Sequence, residues 1–206
     1  AKTLFPYTTL FRSVLYSLAL DPLARAAYGK ARPRLHREHY IRLITEHGAW
    51  ADGTRVSLPQ LLHTLKHRGR ARFRLYRHAR RLLAAIPVST RTPLSHSPTA
   101  AALLPYASTP EEAEAIRIHT YASLFYDYRN HLAHELREPG YGTDWTRRSA
   151  FPYYTDTAFG ERELVLPVAF VKQIFDTVLT NLEQSLLNTK LSPHSKFTFG
   201  SHWKLK

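Results

Sequence analysis

From Val14 onward the apolar positions of this chain recur mostly at helical spacing. An apolar, alanine-rich stretch from Val14 to Tyr28 stops at Gly29, ahead of Pro33. A second helix is predicted over Leu35–His47, with Leu35, Ile41 and Ile44 turned inward and Gly48 as its stop. Gly53-Thr54-Arg55-Val56-Ser57 makes a turn, and Ser57 can cap a short helix from Leu58 through Lys66. From Ala71 the spacing predicts a helix with two stripes: Phe73, Tyr76, Ala79 and Leu83 on one side, Arg70, Arg74, Arg77 and Arg81 on another. Pro87 ends it. Between Val88 and Pro110 the many Pro, Ser and Thr predict a loop crossing the surface, with at most one short helix near Ala100–Leu104.

Thr109-Pro110-Glu111-Glu112 is a strong helix start: a capping hydroxyl, a proline at the first helical position, and acids at the positive end of the dipole. This helix is expected to run to about Arg137 and to stop before Pro139-Gly140. Phe151–Thr155 and Glu163–Leu166 are short strand candidates around a turn at Gly160. Pro167 then opens an amphipathic helix with Val168, Val171, Phe175, Val178, Leu182 and Leu186 on one side. The tail after Asn188 turns lysine-rich, loses periodicity and is expected to be disordered. The pattern implies a mainly α fold, a helical bundle over residues 14–188 with a small β-hairpin between the last two long helices.

Composition narrows the class of partner. A 206-residue chain with 44% hydrophobic residues can bury a core. A net charge of +13 favours a polyanion, with RNA, DNA and anionic lipid as candidates. No apolar run approaches the roughly 20 residues of a membrane span, and docking of the basic helix on an anionic membrane is not expected because its apolar stripe is what the core needs. The lack of Cys excludes disulfides and thiolate sites, and fits a reducing, cytoplasmic setting. Residues 1–13 resemble the in-frame translation of a short-read sequencing adapter, and the chain has no Met. They are therefore set aside from the fold as a non-native leader; losing Lys2 and Arg12 takes the charge from +13 to +11 and leaves the electrostatic argument intact.

The densest chemistry lies in Tyr126-Asp127-Tyr128-Arg129-Asn130-His131-Leu132-Ala133-His134-Glu135. With Tyr126 at zero on a helical wheel, Ile118, Tyr121, Leu124, Phe125, Tyr128, Leu132 and Leu136 fall between about 160° and 280°. Arg129, Asn130, Ala133, His134 and Arg137 fall on the opposite side, between about −60° and +80°. Asn130 and His134 are nearly stacked, and the small Ala133 would let a helix or a phosphate approach closely. The Arg129–His134 spacing alone carries little, because Arg34–His39, Arg42–His47 and Arg91–His96 share it. An ordinary solvated face is the competing reading. His131 is expected to pair with Asp127 and steady the helix. Metal ligation by His131, His134 and Glu135 lacks a second ligand pair, so no metal or cofactor is expected, and His63 and His67 are taken as surface residues.

The segment from Phe125 to Gly142, with the Pro-Tyr-Tyr strand and the Leu-Val-Leu-Pro-Val helix entry after it, resembles the R-(polar)-x3-H element of the HEPN superfamily. The resemblance is strongest over Glu111–Leu187; residues 14–110 match only as a helical, basic region. HEPN proteins are helical bundles that include RNases of toxin–antitoxin, abortive-infection and CRISPR-linked systems. The resemblance implies that Arg129 contacts phosphate, that Asn130 is the polar residue beside it, and that His134 is the essential histidine. It further implies a metal-independent endoribonuclease acting by 2′-hydroxyl attack in prokaryotic defence or a toxin–antitoxin pair. A homodimer through the Arg129–His134 helix, and an antitoxin or defence partner, would accompany it. Some HEPN toxins carry a tyrosine as a modification target two residues after the histidine, where this chain has Leu136. The alternative is a non-catalytic HEPN-like module that binds RNA or a partner; a basic DNA-binding regulator lacks a helix-turn-helix signature. Arg70, Arg74, Arg77, Arg81 and Arg137 are the expected RNA contacts, with Phe73 and Tyr76 either stacking on bases or lying in the core.

Overall fold

The single long helix expected from Thr109 to Arg137 is two helices. The computed structural model describes residues 5–29, 35–87, 89–135, 149–156 and 162–192. Its α-helices are α1 (Phe5–Tyr28), α2 (His36–His47), α3 (Leu58–His67), α4 (Arg74–Ala85), α5 (Ala100–Leu103), α6 (Pro110–Ile118), α7 (Tyr121–Glu135) and α8 (Val168–Thr189). Three short strands, β1 (Thr92–Pro93), β2 (Tyr153–Asp156) and β3 (Arg162–Val165), form an antiparallel sheet in that order. The mainly α class is as expected. The backbone of α1 is helical from Phe5, so the helix starts within the segment set aside above.

Tertiary docking makes the break between α6 and α7. Thr109 caps α6 as expected, its Oγ1 accepting from the Glu112 N–H at 3.3 Å. At the far end the Gly53–Ser57 segment crosses the junction. Tyr121 N–H donates to the Arg55 carbonyl and Ala122 N–H to the Gly53 carbonyl, each at 2.9 Å, while Ser57 N–H donates to the His119 carbonyl at 2.9 Å. A continuous helix would hold the Tyr121 and Ala122 amides and the His119 carbonyl internally. Thr120 accepts from the Ser123 N–H at 3.4 Å and starts α7 afresh.

Two apolar clusters flank this junction. Leu20 of α1, Tyr40 and Ile44 of α2, Phe125 and Leu132 of α7, and Val171 and Val178 of α8 belong to the first. Leu61 and Leu65 of α3, Leu75 and Ala79 of α4, Leu103 of α5 and Ile116 of α6 belong to the second. Several expected faces rotate as a result. Leu35 stands outside α2 and is 38% exposed, the inward positions being Tyr40, Leu43 and Ile44. The buried centre of α4 is Leu75 and Ala79, with Tyr76 and Leu83 at its edge and Phe73 one residue before the helix. In α8, Phe170 and Ile174 join Val171, Val178 and Leu182 in the core, while Phe175 and Leu186 lie partly buried beside it.

The Val88–Pro110 stretch is more than a surface loop. Thr92 pairs with Tyr154 across the sheet, and Leu94 is buried with Tyr121 and Tyr154. The expected short helix is present as α5, with Thr99 capping it. The hairpin of β2 and β3 is also present, Tyr153 opposite Val165, although its turn at Gly160 lies outside the described residues. Ser57 precedes α3 but its hydroxyl caps nothing; it meets the Tyr154 hydroxyl and Gln60 Oε1 instead, tying α3 to the sheet. Ser97 and Tyr121 share a second buried hydroxyl bond at 2.7 Å. Residues beyond Ser192, including most of the expected disordered tail, lie outside the described residues. Among those described, no helix is long and apolar enough to cross a membrane.

Candidate nucleic-acid interface

The expected strip on α7 is only partly open. Arg129 turns its guanidinium onto the carboxylate of Asp21, which α1 projects across the flank of α7. The pair is close to fully enclosed, with the two side chains 13% and 12% exposed. Arg129 Nη1 also donates to Asn130 Oδ1 at 2.8 Å, and its Nε is buried with no hydrogen-bond partner. Burial pushes the Arg129 pKa down from its ordinary value, because desolvation disfavours its charged form. Asp21 Oδ1 stands 3.7 Å from His36 Nε2 and makes no hydrogen bond. The Tyr126 ring lies between two arginines, Arg129 at 5.9 Å and Arg37 at 5.8 Å from its centroid.

Arg129 and Asn130 are thus brought together, and both are partly buried. His134, one turn on, is exposed and makes no hydrogen bond to either of them. His131 pairs with Glu135 at 3.1 Å rather than with Asp127, whose carboxylate meets Arg37 of α2 at 3.3 Å. Burial raises the Asp127 pKa, against the pull of Arg37 and His131. Among the described residues no group of three or more His, Asp or Glu is placed to hold a metal ion. Leu136 and Arg137 lie outside the described residues.

The second basic element has the opposite character. Arg74, Arg77 and Arg81 stand on one face of α4 at three- and four-residue spacing, all exposed, with Arg80 exposed beside them. None of the four is ion-paired to a carboxylate among the described residues, whereas Arg42, Arg55 and Arg117 each have one. Arg74 and Arg77 occupy the first turn of α4, which has no acid, so two cations face the positive end of the helix dipole. That arrangement disfavours the free helix and suits an anion. Arg70 departs from the expected stripe. It precedes the helix, reaches Glu111 at 4.0 Å and lies over the Phe73 ring at 4.9 Å. Phe73 is therefore covered by an arginine, and Tyr76 packs against the second core cluster.

Comparison of the chain with protein-family models, curated proteins and solved structures found no match.

Two residues that sequence reasoning passed over complete this face. Tyr106, in the turn after α5, lays its ring flat against His78 of α4, centroids 3.6 Å apart and planes 7° from parallel. Arg74 approaches the same ring at 4.8 Å from its centroid. His78 lies four residues after Arg74, so its place on the basic face was readable from spacing. Tyr106 carried no such signal, because only the packing of the α5 turn on α4 brings it there.

Proposed function

We propose that the chain is a HEPN-like RNA-binding module that engages RNA phosphates through the arginine face of α4. The observation that carries this reading is the cluster of Arg74, Arg77, Arg80 and Arg81, exposed and without carboxylate partners among the described residues. Arginine forks match phosphate oxygens bidentately, and each contact releases counterions from the nucleic acid. The α7 segment supports binding better than cleavage. A catalytic arginine must face the scissile phosphate, and Arg129 faces Asp21 inside its own chain. Cleavage would require that pair to open.

The test is binding of single-stranded RNA by fluorescence anisotropy across a salt series in EDTA. Affinity should fall steeply with salt, and Arg77→Gln and Arg81→Gln should each lower the logarithmic slope by about one phosphate equivalent. Salt-independent binding would remove the arginine face from the interaction. Release of 2′,3′-cyclic phosphate ends, abolished by His134→Ala, would instead establish the ribonuclease reading and overturn this one.

A further inference from the structure

The arginine face of α4 contains a pocket. Arg74, Arg77, His78, Arg81 and Tyr106 line an open cavity of about 300 Å³. Among the described residues no carboxylate lines it, and its walls carry three guanidiniums, an imidazole and a phenol ring. Three adjacent exposed guanidiniums with no carboxylate partner among the described residues repel one another, so the pocket is arranged for an anion carrying more than one negative charge. An internal phosphodiester carries one. A phosphomonoester carries about 1.5 to 2 negative charges at neutral pH and three strong acceptor oxygens.

We propose that this pocket receives the terminal phosphomonoester of an RNA strand. The inference rests on the RNA-binding reading above and adds which part of the strand is recognised. The wall opposite the helix supports it. Tyr106 is stacked on His78, so that face of its ring is not open to a base, and a cavity of about 300 Å³ is on the scale of a phosphate with its sugar. Recognition is then of the strand end by charge, with little preference among bases. Arg77 and Arg81 supply exposed forks for the outer oxygens, and Arg74 is steadied over the Tyr106 ring.

The experiment compares three forms of one short single-stranded RNA, bearing a 5′-phosphate, a 3′-phosphate, or hydroxyls at both ends. Binding is read by anisotropy at fixed salt with the full chain. At least one phosphorylated form should bind about tenfold or more tightly than the hydroxyl-ended strand. Whichever form does so identifies the end recognised. In the double variant Arg77→Gln/Arg81→Gln the ratio should fall to one, and Tyr106→Leu should reduce it without unfolding the protein by near-UV circular dichroism. Equal binding of all three forms by the unaltered chain would overturn the pocket assignment while leaving RNA binding in place. A phosphate preference that survives the double variant would place the end-binding site elsewhere and equally overturn it. Absence of binding by all three forms even at low salt would instead refute the RNA-binding reading. Competition by a phosphoserine peptide or by phosphoinositide vesicles, matching that of a 5′-mononucleotide, would show the pocket to be a general phosphomonoester site and defeat the RNA assignment.

Discussion

The Asp21–Arg129 pair gives the sharpest prediction, because it separates a structural arginine from a catalytic one. Replacing Arg129 by Met leaves the Asp21 carboxylate enclosed, and replacing Asp21 by Leu leaves the guanidinium enclosed; each side chain is little more than a tenth exposed. Removing one partner of a fully buried pair costs about 3–5 kcal/mol, because the other charge is stranded. The residual exposure favours the lower end, so each single substitution should cost about 3 kcal/mol. For a chain of this length that lowers the melting temperature by about 6–12 °C. The double variant Asp21→Leu/Arg129→Met strands neither charge and should lie within about 1 kcal/mol of the parent. Equilibrium urea unfolding at neutral pH measures all four proteins, with the slope in urea as a check that the unfolded states are alike. A coupling energy of about 5 kcal/mol or more is expected from these values. Additivity of the two single effects to within about 0.5 kcal/mol would show that the pair contributes nothing, and would return Arg129 to the pool of residues free to act on RNA.

Three further outcomes are expected. Burial, with Arg68, Arg37 and His63 acting in the same direction, lowers His119 to about 4, so the folded state holds it neutral while the unfolded chain takes up a proton below about 6.5. Its contribution is therefore complete above pH 6.5 and is lost as pH falls towards 4, on the order of 3 kcal/mol; His119→Asn should flatten the stability–pH curve across that window, and an unchanged curve would exclude His119 as its source. Tyr154→Phe strips the shared hydroxyl from Ser57 and Gln60 and should destabilise by about 1–3 kcal/mol in thermal unfolding, whereas Tyr28→Phe, whose hydroxyl bond to Glu46 is exposed, should cost well under that. Gly48→Ala should destabilise by about 1 kcal/mol or more in urea unfolding, since an added Cβ would run into the Ile44 carbonyl oxygen at the end of α2; a neutral effect would mean that the helix end relaxes freely.

Local signals were legible and long-range ones were not. The Thr109 cap, the proline entries to α6 and α8 and the apolar spacing of α8 are properties of neighbouring residues, and they appear where the sequence places them. The break at His119–Thr120 has no local cause, since neither residue bars a helix; the Gly53–Ser57 segment imposes it from a distant part of the chain. Strand β1 is two residues long and ends in proline, so no alternation announced it. In the candidate site, Arg74, Arg77 and Arg81 were readable from periodicity, because a solvated helical face needs no tertiary information. Asp21 was not, because a carboxylate in an apolar helix gives no hint of which cation will reach it. That one residue moves Arg129 from an apparent surface position into an internal pair.

The Gly53–Ser57 crossing also divides the molecule mechanically. Basic helix α4 belongs to the block built on α3, α5 and α6, while Arg129 and His134 ride on the block of α1, α2, α7 and α8. The two blocks meet at a seam whose named amides are Ser57, Tyr121 and Ala122. An RNA strand held on α4, as proposed above, would load the Arg129 block through that seam. The exchange rates of those three amides, followed with and without RNA, would therefore act as a strain gauge between the block that carries α4 and the block that carries Arg129.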